Sequence, residues 1–316
     1  MGQVRTILLT LIMLAGIVFP AAGHASLLFY ASSNNMVGTP SNILKVFNDG
    51  TSSVWNITWD RAFELYDPRG IAIDSAGNVY VNDSQYILKI DPSGNGTVFA
   101  TKPSDSYGYG VTVDALGNVY SVGAVGFYYG IYKYDASGQL IDTWTLQGQS
   151  LSNLAIGHDG YIYSGDTFAG AVYRFDPADG SHTVYASVDS AGDVAFAPDG
   201  TLYVGSYKAV YQVADDVVSV ALNRRVYQSY GLGVDADGTL YIGNNRSNWD
   251  NEILSHQPGS STASYTIFAD LTEEQTITGI AMVPEPSTVT LLVIAGAFVV
   301  FVARSRSRFK PRPWAE

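Results

Sequence analysis

The sequence predicts an all-β fold, a six-bladed β-propeller of four-stranded blades. Three observations predict it: a pattern recurs about every 40 residues, each copy alternates large apolar and small residues, and the two ends of the array are complementary fragments. Composition agrees, because 47% hydrophobic and 15% charged residues with 32 glycines and 22 tyrosines favour strands joined by tight turns. The chain has no cysteine, which excludes disulfides, thiolate metal sites and cysteine nucleophiles.

The repeat is clearest in aligned segments that carry glycine at the eighth position and tyrosine at the eleventh. Six copies begin 40, 43, 40, 38 and 48 residues apart, a period typical of stacked supersecondary units. The copies are GIAIDSAGNVY (70–80), GVTVDALGNVY (110–120), NLAIGHDGYIY (153–163), DVAFAPDGTLY (193–203), GLGVDADGTLY (231–241) and the start of a sixth, GIAMV (279–283).

Each unit contains four predicted strands. The first alternates with period two, and the DxxG or PDG that follows predicts a turn in which glycine takes a positive φ. A second strand such as NVYV or TLYV, a third such as ILKID or IYKYD, and a fourth such as GTVFA or HTVYAS complete the unit. Four antiparallel strands in about 40 residues are typical of a propeller blade.

The blade count depends on the two ends of the array. GIAMV (279–283) is a first strand with no partners after it. SLLFYAS (26–32), NILKVF (42–47) and SVWNITW (53–59) read as second, third and fourth strands with no first. We therefore expect Gly279–Val283 to pair with Ser26–Ser32, so that the propeller spans residues 26–283.

Repeated polar and aromatic positions are interpreted as structural. The aspartates of the turns accept hydrogen bonds from nearby backbone, the aligned tyrosines pack between blades rather than stack on sugars, and the equivalent cations of the third strands form a solvated ring with packed stems. The tyrosines are Tyr80, Tyr120, Tyr163, Tyr203 and Tyr241, and the cations are Lys45, Lys89, Lys133 and Arg174.

A candidate ligand site lies where the inner strands begin, at the mouth of the axial channel. Four copies start with glycine, but two consecutive ones start with Asn153 and Asp193, and the loops between second and third strands open on the same face. Long loops on a rigid scaffold favour function, whereas the alternative is an ordinary polar rim. The other candidates at this mouth are Asp83, Asp166, Tyr207, Asn245, Trp249 and Asp250.

Signatures of catalysis are missing from the sequence. No HExxH, GxSxG or P-loop occurs, and no histidine pair has metal-ligand spacing. We therefore assign no catalytic residue and expect no cofactor, although the acidic composition leaves open a loosely held divalent cation such as calcium. The net charge of −12 disfavours nucleic acid as a partner, because phosphate binding needs a basic face.

The N-terminus resembles a secretory signal peptide. Arg5 precedes a 13-residue apolar run, Ile7–Phe19, and small residues follow at cleavage-site spacing. We predict cleavage after Ala25 by signal peptidase, so that residues 1–25 direct the chain into the export machinery. An uncleaved anchor is the alternative.

The C-terminal residues 284–316 predict a second targeting segment. Pro284, Glu285 and Pro286 precede 17 uncharged residues, Ser287–Ala303, which is near the short limit for a membrane-spanning helix. A basic end follows over residues 304–312. Positive charge stays on the cytoplasmic side, so the propeller is expected outside the inner membrane. The residues that stop membrane transfer are Arg304, Arg306 and Arg308.

This arrangement of Pro-Glu-Pro, apolar segment and arginine-rich end resembles a PEP-CTERM sorting tail. The resemblance covers about 30 residues and implies a Gram-negative bacterium, processing by an exosortase, and release to the cell surface or extracellular polysaccharide. Separately, DPRGIAIDSAGNVYVNDSQYILKIDPSG (67–94) resembles an NHL repeat and the domain resembles the six-bladed family that includes gluconolactonase- and regucalcin-like proteins.

Three function classes follow from these observations. The first is an exported surface or matrix propeller that binds a component such as exopolysaccharide, and the second is a purely structural matrix protein. The third is a metal-dependent lactonase- or lyase-like enzyme. The resemblance to gluconolactonases implies a glutamate, an asparagine and an aspartate around a divalent metal; Glu64 is a candidate for the first, and no motif match assigns the other two.

Overall fold

A computed structural model describes residues 25–34, 41–103, 107–125, 128–147, 150–224, 231–245, 251–271 and 276–284, and these contain strands and no helix. In that part of the chain, no helix is long and apolar enough to cross a membrane. The predicted sorting tail from Glu285 onward and residues 1–24 of the predicted signal peptide lie outside the described residues, as do Trp249 and Asp250.

The described strands form six sheets that follow one another along the chain, which confirms the predicted six-bladed propeller of four-stranded blades. Blade 1 consists of β5 (Pro68–Ile73), β6 (Val79–Asp83), β7 (Tyr86–Ile90) and β8 (Asn95–Thr101), and blade 2 of β9 (Tyr107–Val113), β10 (Val119–Val125), β11 (Tyr128–Tyr134) and β12 (Leu140–Gln147). Blade 3 consists of β13 (Leu151–Ile156), β14 (Ile162–Asp166), β15 (Ala171–Phe175) and β16 (His182–Ser187), and blade 4 of β17 (Val194–Phe196), β18 (Leu202–Gly205), β19 (Val210–Ala214) and β20 (Val217–Leu222). Blade 5 consists of β21 (Leu232–Val234), β22 (Leu240–Asn244), β23 (Glu252–His256) and β24 (Thr266–Asp270), and blade 6 of the last strand, β25 (Thr276–Met282), with β1 (Leu27–Asn34), β2 (Asn42–Phe47) and β3 (Ser52–Val54).

The turn between the first and second strands has the geometry that the repeat predicts. In blade 1 the Gly77 N–H donates to the Asp74 carbonyl at 3.0 Å, and Gly77 has a φ of +83°. The four equivalent glycines have φ between +80° and +92°, a region that side chains with a Cβ rarely adopt. The Asp74 carboxylate accepts a hydrogen bond from the Ala76 N–H at 3.0 Å, as predicted for the aspartates of these turns.

The apolar core is divided into six clusters, and each cluster lies between two adjacent blades. Tyr120 of blade 2, for example, packs with Leu154 and Phe175 of blade 3. All five aligned tyrosines are buried in such clusters, which confirms the prediction that they form inter-blade core. Because a blade is a single sheet, it buries its faces only against its neighbours, and the domain depends on a complete ring.

The ring closes as predicted, by pairing the last strand with the first. β25 and β1 are antiparallel, with Phe29 opposite Met282 and Ser32 opposite Gly279. Thr278 Oγ1 lies 3.0 Å from Ser32 Oγ, although the two residues are 246 positions apart in sequence. We call this β1–β25 pairing the closing seam.

The predicted fourth strand over residues 53–59 is wrong in part. β3 ends at Val54, and the chain then leaves blade 6 to form β4 (Thr58–Trp59), which pairs in parallel with the outer strand β8 of blade 1. Gly96 makes this possible, because a Cβ there would approach the Trp59 ring to 2.4 Å. The outer edge of blade 1 is therefore covered by a fifth short strand.

We expect the closing seam to be essential for stability. Ile277 is fully buried in the cluster between blades 5 and 6, so Ile277→Ala should lower the free energy of unfolding by about 2–5 kcal/mol in chemical denaturation. Ile267→Ala on the exposed face of β24 is the matched control and should change it by less than about 0.5 kcal/mol. Equal melting temperatures for chains that stop at Thr278 and at Val283 would contradict this closure.

Candidate functional site

The inner strands all begin at one end of the propeller, which we call the mouth face. It carries the connections between second and third strands, such as residues 84–85, 167–170 and 206–209, and the links between blades, such as residues 60–67 and 188–193. This placement follows from four antiparallel strands per blade, because the chain returns to the same end after every second strand. All the predicted site residues that the structure describes lie at this end.

Exposed aromatic side chains mark the mouth face. Among the aromatic side chains that the structure describes, three are more than half exposed: Tyr66 at 79%, Phe168 at 84% and Tyr207 at 53%. Tyr66 is in the link that leads into blade 1, and the other two lie in equivalent turns of the adjacent blades 3 and 4. Exposed apolar side chains also occur elsewhere, such as Leu116 at 82% and Val217 at 62%, so what distinguishes this face is that its most exposed apolar residues are aromatic.

Two predicted site residues, Asp83 and Asp166, hold the backbone beside these aromatics. Each lies at the last position of a second strand. The Asp83 carboxylate accepts hydrogen bonds from the Tyr66 N–H at 3.1 Å and from the Asp67 N–H, and burial raises its pKa. The Asp166 carboxylate accepts hydrogen bonds from the Phe168 and Ala169 N–H groups, both at 2.9 Å. These buried carboxylates therefore fix the conformation of the loops and do not face a ligand through those oxygens.

Blade 4 uses a serine at the equivalent position, which the sequence analysis did not select. Ser206 Oγ donates to the Asp189 carbonyl at 2.7 Å and accepts from the Lys208 N–H at 3.4 Å, so it holds the turn that exposes Tyr207. Lys208 and Asp189 also form an exposed ion pair across this turn. The signal that identifies Ser206 is its alignment with Asp83 and Asp166 three residues after the repeated tyrosine.

The other predicted pair, Asn153 and Asp193, lies side by side at the channel and joins three blades. Asp193 accepts hydrogen bonds from its neighbour Val194 N–H at 2.9 Å and from the Leu232 N–H of blade 5 at 2.7 Å, and the Asn153 side chain favours its charged form. Asn153 is partly exposed, whereas Asp193 is completely buried, and this burial raises the pKa of Asp193 to about 7. The structure thus gives Asp193 a role in holding blades together.

Asn245 occupies a different sector of the mouth face and binds backbone in the next blade. Its amide donates to the Ile277 carbonyl at 2.8 Å and accepts from the Ile277 N–H at 2.9 Å, which connects blade 5 to the closing strand β25. Asn82, not selected from the sequence, bonds in the same manner to the Gly110 carbonyl of blade 2 at 3.2 Å. The sequence could have indicated Asn82, because it is an asparagine at a repeat position that is glycine in blades 3 to 5.

A buried lysine accompanies Asn82. Lys102 Nζ donates to Asn82 Oδ1 at 2.7 Å, and burial lowers the pKa of Lys102 to about 7 although the charges of Asp83 and Asp67 oppose that shift. This cluster supports the junction of blades 1 and 2. Over the described ranges, no group of three histidine, aspartate or glutamate side chains is arranged to hold a metal ion.

Comparison with known proteins shows similarity of structure only. No protein-family model matches the chain, and no curated protein matches it. The six-bladed propeller fold is shared with several solved structures. A protein of unknown function from Bacteroides caccae has a TM-score of 0.59 at 12% identity and covers 82% of this chain and 100% of its own. A streptogramin B lyase has a TM-score of 0.55 at 16% identity, covering 82% and 93%, and virginiamycin B lyase from Staphylococcus aureus has 0.53 at 16%, covering 75% and 83%.

The raised pKa of Asp193 predicts that stability depends on pH. Its pKa is 3.8 when unperturbed and about 7 in the fold, so the folded state binds more protons between these values. The free energy of unfolding should therefore fall as pH rises from about 4 to about 7, by at most roughly 4 kcal/mol at 1.36 kcal/mol per pKa unit. Urea unfolding at a series of pH values measures this slope.

Asp193→Asn should remove that slope. The asparagine side chain has one acceptor oxygen fewer than the aspartate, so the variant should also be less stable at every pH. The quantity that tests the assignment is therefore the slope of the unfolding free energy against pH. Asp189→Asn is the control, because Asp189 is exposed and its hydrogen bond with Lys208 lowers its pKa, which gives a dependence of opposite sign. Parallel pH profiles for the wild type and Asp193→Asn would contradict the assignment.

Proposed function

We propose that the protein is an exported, non-enzymatic propeller that binds polysaccharide at the cell surface or in the extracellular matrix through its mouth face. The observation that carries the proposal is the exposure of Tyr66, Phe168 and Tyr207 on that one face. A sugar ring presents an apolar face of C–H groups, which packs on an aromatic ring, and hydroxyl groups that remain hydrated. An extended glycan has such a ring at every repeat and suits a surface with several separate aromatics.

The loop geometry supports binding with little reorganisation. Tyr66 and Phe168 belong to loops whose backbone is held by buried carboxylates, and Tyr207 belongs to a turn held by Ser206. Because hydrogen bonds already order these loops, binding a ligand costs little conformational entropy of their backbone. The net charge of −12 favours a neutral or cationic glycan over a polyanion.

A metal-dependent lactonase- or lyase-like enzyme is the alternative function, and two of the similar structures are lyases by name. Such an enzyme needs acidic groups that are available to a metal at the mouth. In the described part of this chain, the carboxylates of Asp83, Asp166 and Asp193 instead accept backbone hydrogen bonds. The geometry therefore favours binding, and a divalent cation such as calcium belongs only to the alternative.

The proposed route to the surface uses signal peptidase at the N-terminus and an exosortase at the C-terminus. The last strand of the propeller, β25, ends at Met282, two residues before Pro284. Cleavage beyond that point leaves every strand of the domain in place. The helix predicted over residues 287–303 would hold the chain in the inner membrane until this cleavage.

The glycan proposal predicts a loss of binding when the exposed rings are removed. Phe168→Ala and Tyr207→Ala should each weaken binding to the exopolysaccharide of the producing bacterium by about tenfold, equal to about 1.4 kcal/mol. The measurement is affinity electrophoresis in gels containing that polysaccharide. Leu116→Ala is the control, because Leu116 is 82% exposed in a turn between first and second strands, at the opposite face. Unchanged binding in both aromatic variants, or an equal loss in the control, would contradict the proposal.

The sorting proposal predicts a processed product. In a host with a working exosortase, intact-mass measurement should find a surface or secreted protein that lacks the basic end, Arg304–Arg312. Replacing Pro284 and Pro286 by alanine should leave export unchanged and accumulate a longer form in the membrane fraction, since an extended segment that a protease can grip is lost. A wild-type protein that keeps its arginine tail in that host would show a permanent anchor.

A further inference from the structure

A pocket that the mouth face does not include lies on the perimeter of the propeller. It has a volume of about 270 Å³ and lies between the outer strand of blade 6 and the segment 55–65 that leads into blade 1. Small-molecule sites usually have volumes of ~300–1,000 Å³, so this pocket suits one ring-sized group rather than a long ligand. It exists because residues 55–65 depart from the repeat, and no other blade has an equivalent segment in its described residues.

The walls of the perimeter pocket are aromatic and held in place. Trp55 is buried and stacks on Tyr30 with ring centroids 4.5 Å apart, so it forms a fixed wall. Trp59 is partly exposed, lies against the backbone at Gly96 and has its ring 4.9 Å from that of Phe63. Seven of the eleven lining residues are apolar. Because Lys45 Nζ also lies over the Trp55 ring, 4.8 Å from its centroid, the ring surface left to a ligand is that of Trp59.

The polar side of the perimeter pocket has amide, hydroxyl and carboxylate groups and no cation. Its four polar residues are Ser41, Asn42, Asn56 and Glu64. Asn56 and Glu64 are exposed, and in the described part of the chain neither side chain is committed to a hydrogen bond within the fold. These two side chains are available to a ligand. A lone carboxylate repels anions and attracts hydroxyl or ammonium donors.

We propose that the perimeter pocket binds one neutral or amine-bearing hexose unit. The hexose places the C–H face of its ring on Trp59, and its hydroxyl or amino groups donate to Glu64 and bond to Asn56. The Glu64 carboxylate disfavours uronic acids. The proposal does not rest on glycan binding at the mouth face, because it uses different residues and a single sugar ring.

The experiment titrates the full mature protein with free glucose, glucosamine and glucuronate and follows binding by saturation-transfer NMR. We expect glucose and glucosamine to bind with Kd in the millimolar range and glucuronate to bind at least about tenfold more weakly. Trp59→Ala should weaken glucose binding by about tenfold. Glu64→Gln should abolish the preference for glucosamine over glucuronate, and its exposed side chain makes it safe for folding.

Phe168→Ala is the control, because it lies on the mouth face and should leave hexose binding unchanged. The effect of Phe168→Ala on polysaccharide binding tests the proposal for the mouth face. The two proposals can therefore fail independently of each other. If Trp59→Ala unfolds, the Glu64→Gln result alone decides. Three results would overturn the perimeter-pocket proposal. The first is that no hexose binds at up to about 50 mM, which corresponds to a binding free energy weaker than about −2 kcal/mol. The second is that glucuronate binds as well as glucosamine, and the third is that Glu64→Gln keeps the wild-type order of affinities for the sugars.

Discussion

The whole domain depends on the closing seam between β1 and β25. Each core cluster lies between two blades, so a blade at an open end would expose one apolar face and two strand edges. Pairing residues that are about 246 positions apart costs loop-closure entropy, but that cost grows only with the logarithm of the separation. Burial of side chains on both sides of blade 6, such as Phe29 against blade 5 and Tyr30 against blade 1, offsets it. Hence blade 6, which holds the N-terminal strands, has four strands only when β25 is paired with β1.

Much of this could be predicted from the sequence, because the signals that mattered were periodic. The turn glycines, the inter-blade tyrosines and the incomplete blades at both ends specify six blades and their closure. β4 was missed, since a two-residue parallel pairing across blades has no periodicity and depends on the absence of a Cβ at Gly96. The environment of Asp193 was also invisible, because its partner Leu232 is 39 residues away and becomes a neighbour only when blades 4 and 5 pack.

Polar residues near the mouth divide into two groups with different physical roles. Asp193 and Asn245 bond to backbone in the following blade, and each bond satisfies a donor or acceptor that the blade edges would otherwise leave buried and unpaired. Asp166 accepts hydrogen bonds within its own turn, whereas Asp83 accepts them from the link that leads into blade 1, and each carboxylate keeps that segment in one conformation. Neither group contacts solvent freely. Among the described residues of this face, the side chains that reach solvent include aromatic rings such as that of Phe168 and the ion pair of Lys208 and Asp189.

The perimeter pocket lies beside β1, one of the two strands of the closing seam. One wall of the pocket, Trp55, stacks on Tyr30 of β1, the strand that pairs with β25. The opposite wall comes from Trp59, which is tied to the outer strand of blade 1. All the lining residues lie between Ser41 and Leu65, so the whole pocket is on the β1 side of the closing seam, where blade 6 meets blade 1. A ligand that binds there only when the domain is folded stabilises it by RT ln(1 + [L]/Kd), so this departure from the repeat is also a place where a bound sugar can strengthen the packing of blade 6 on blade 1.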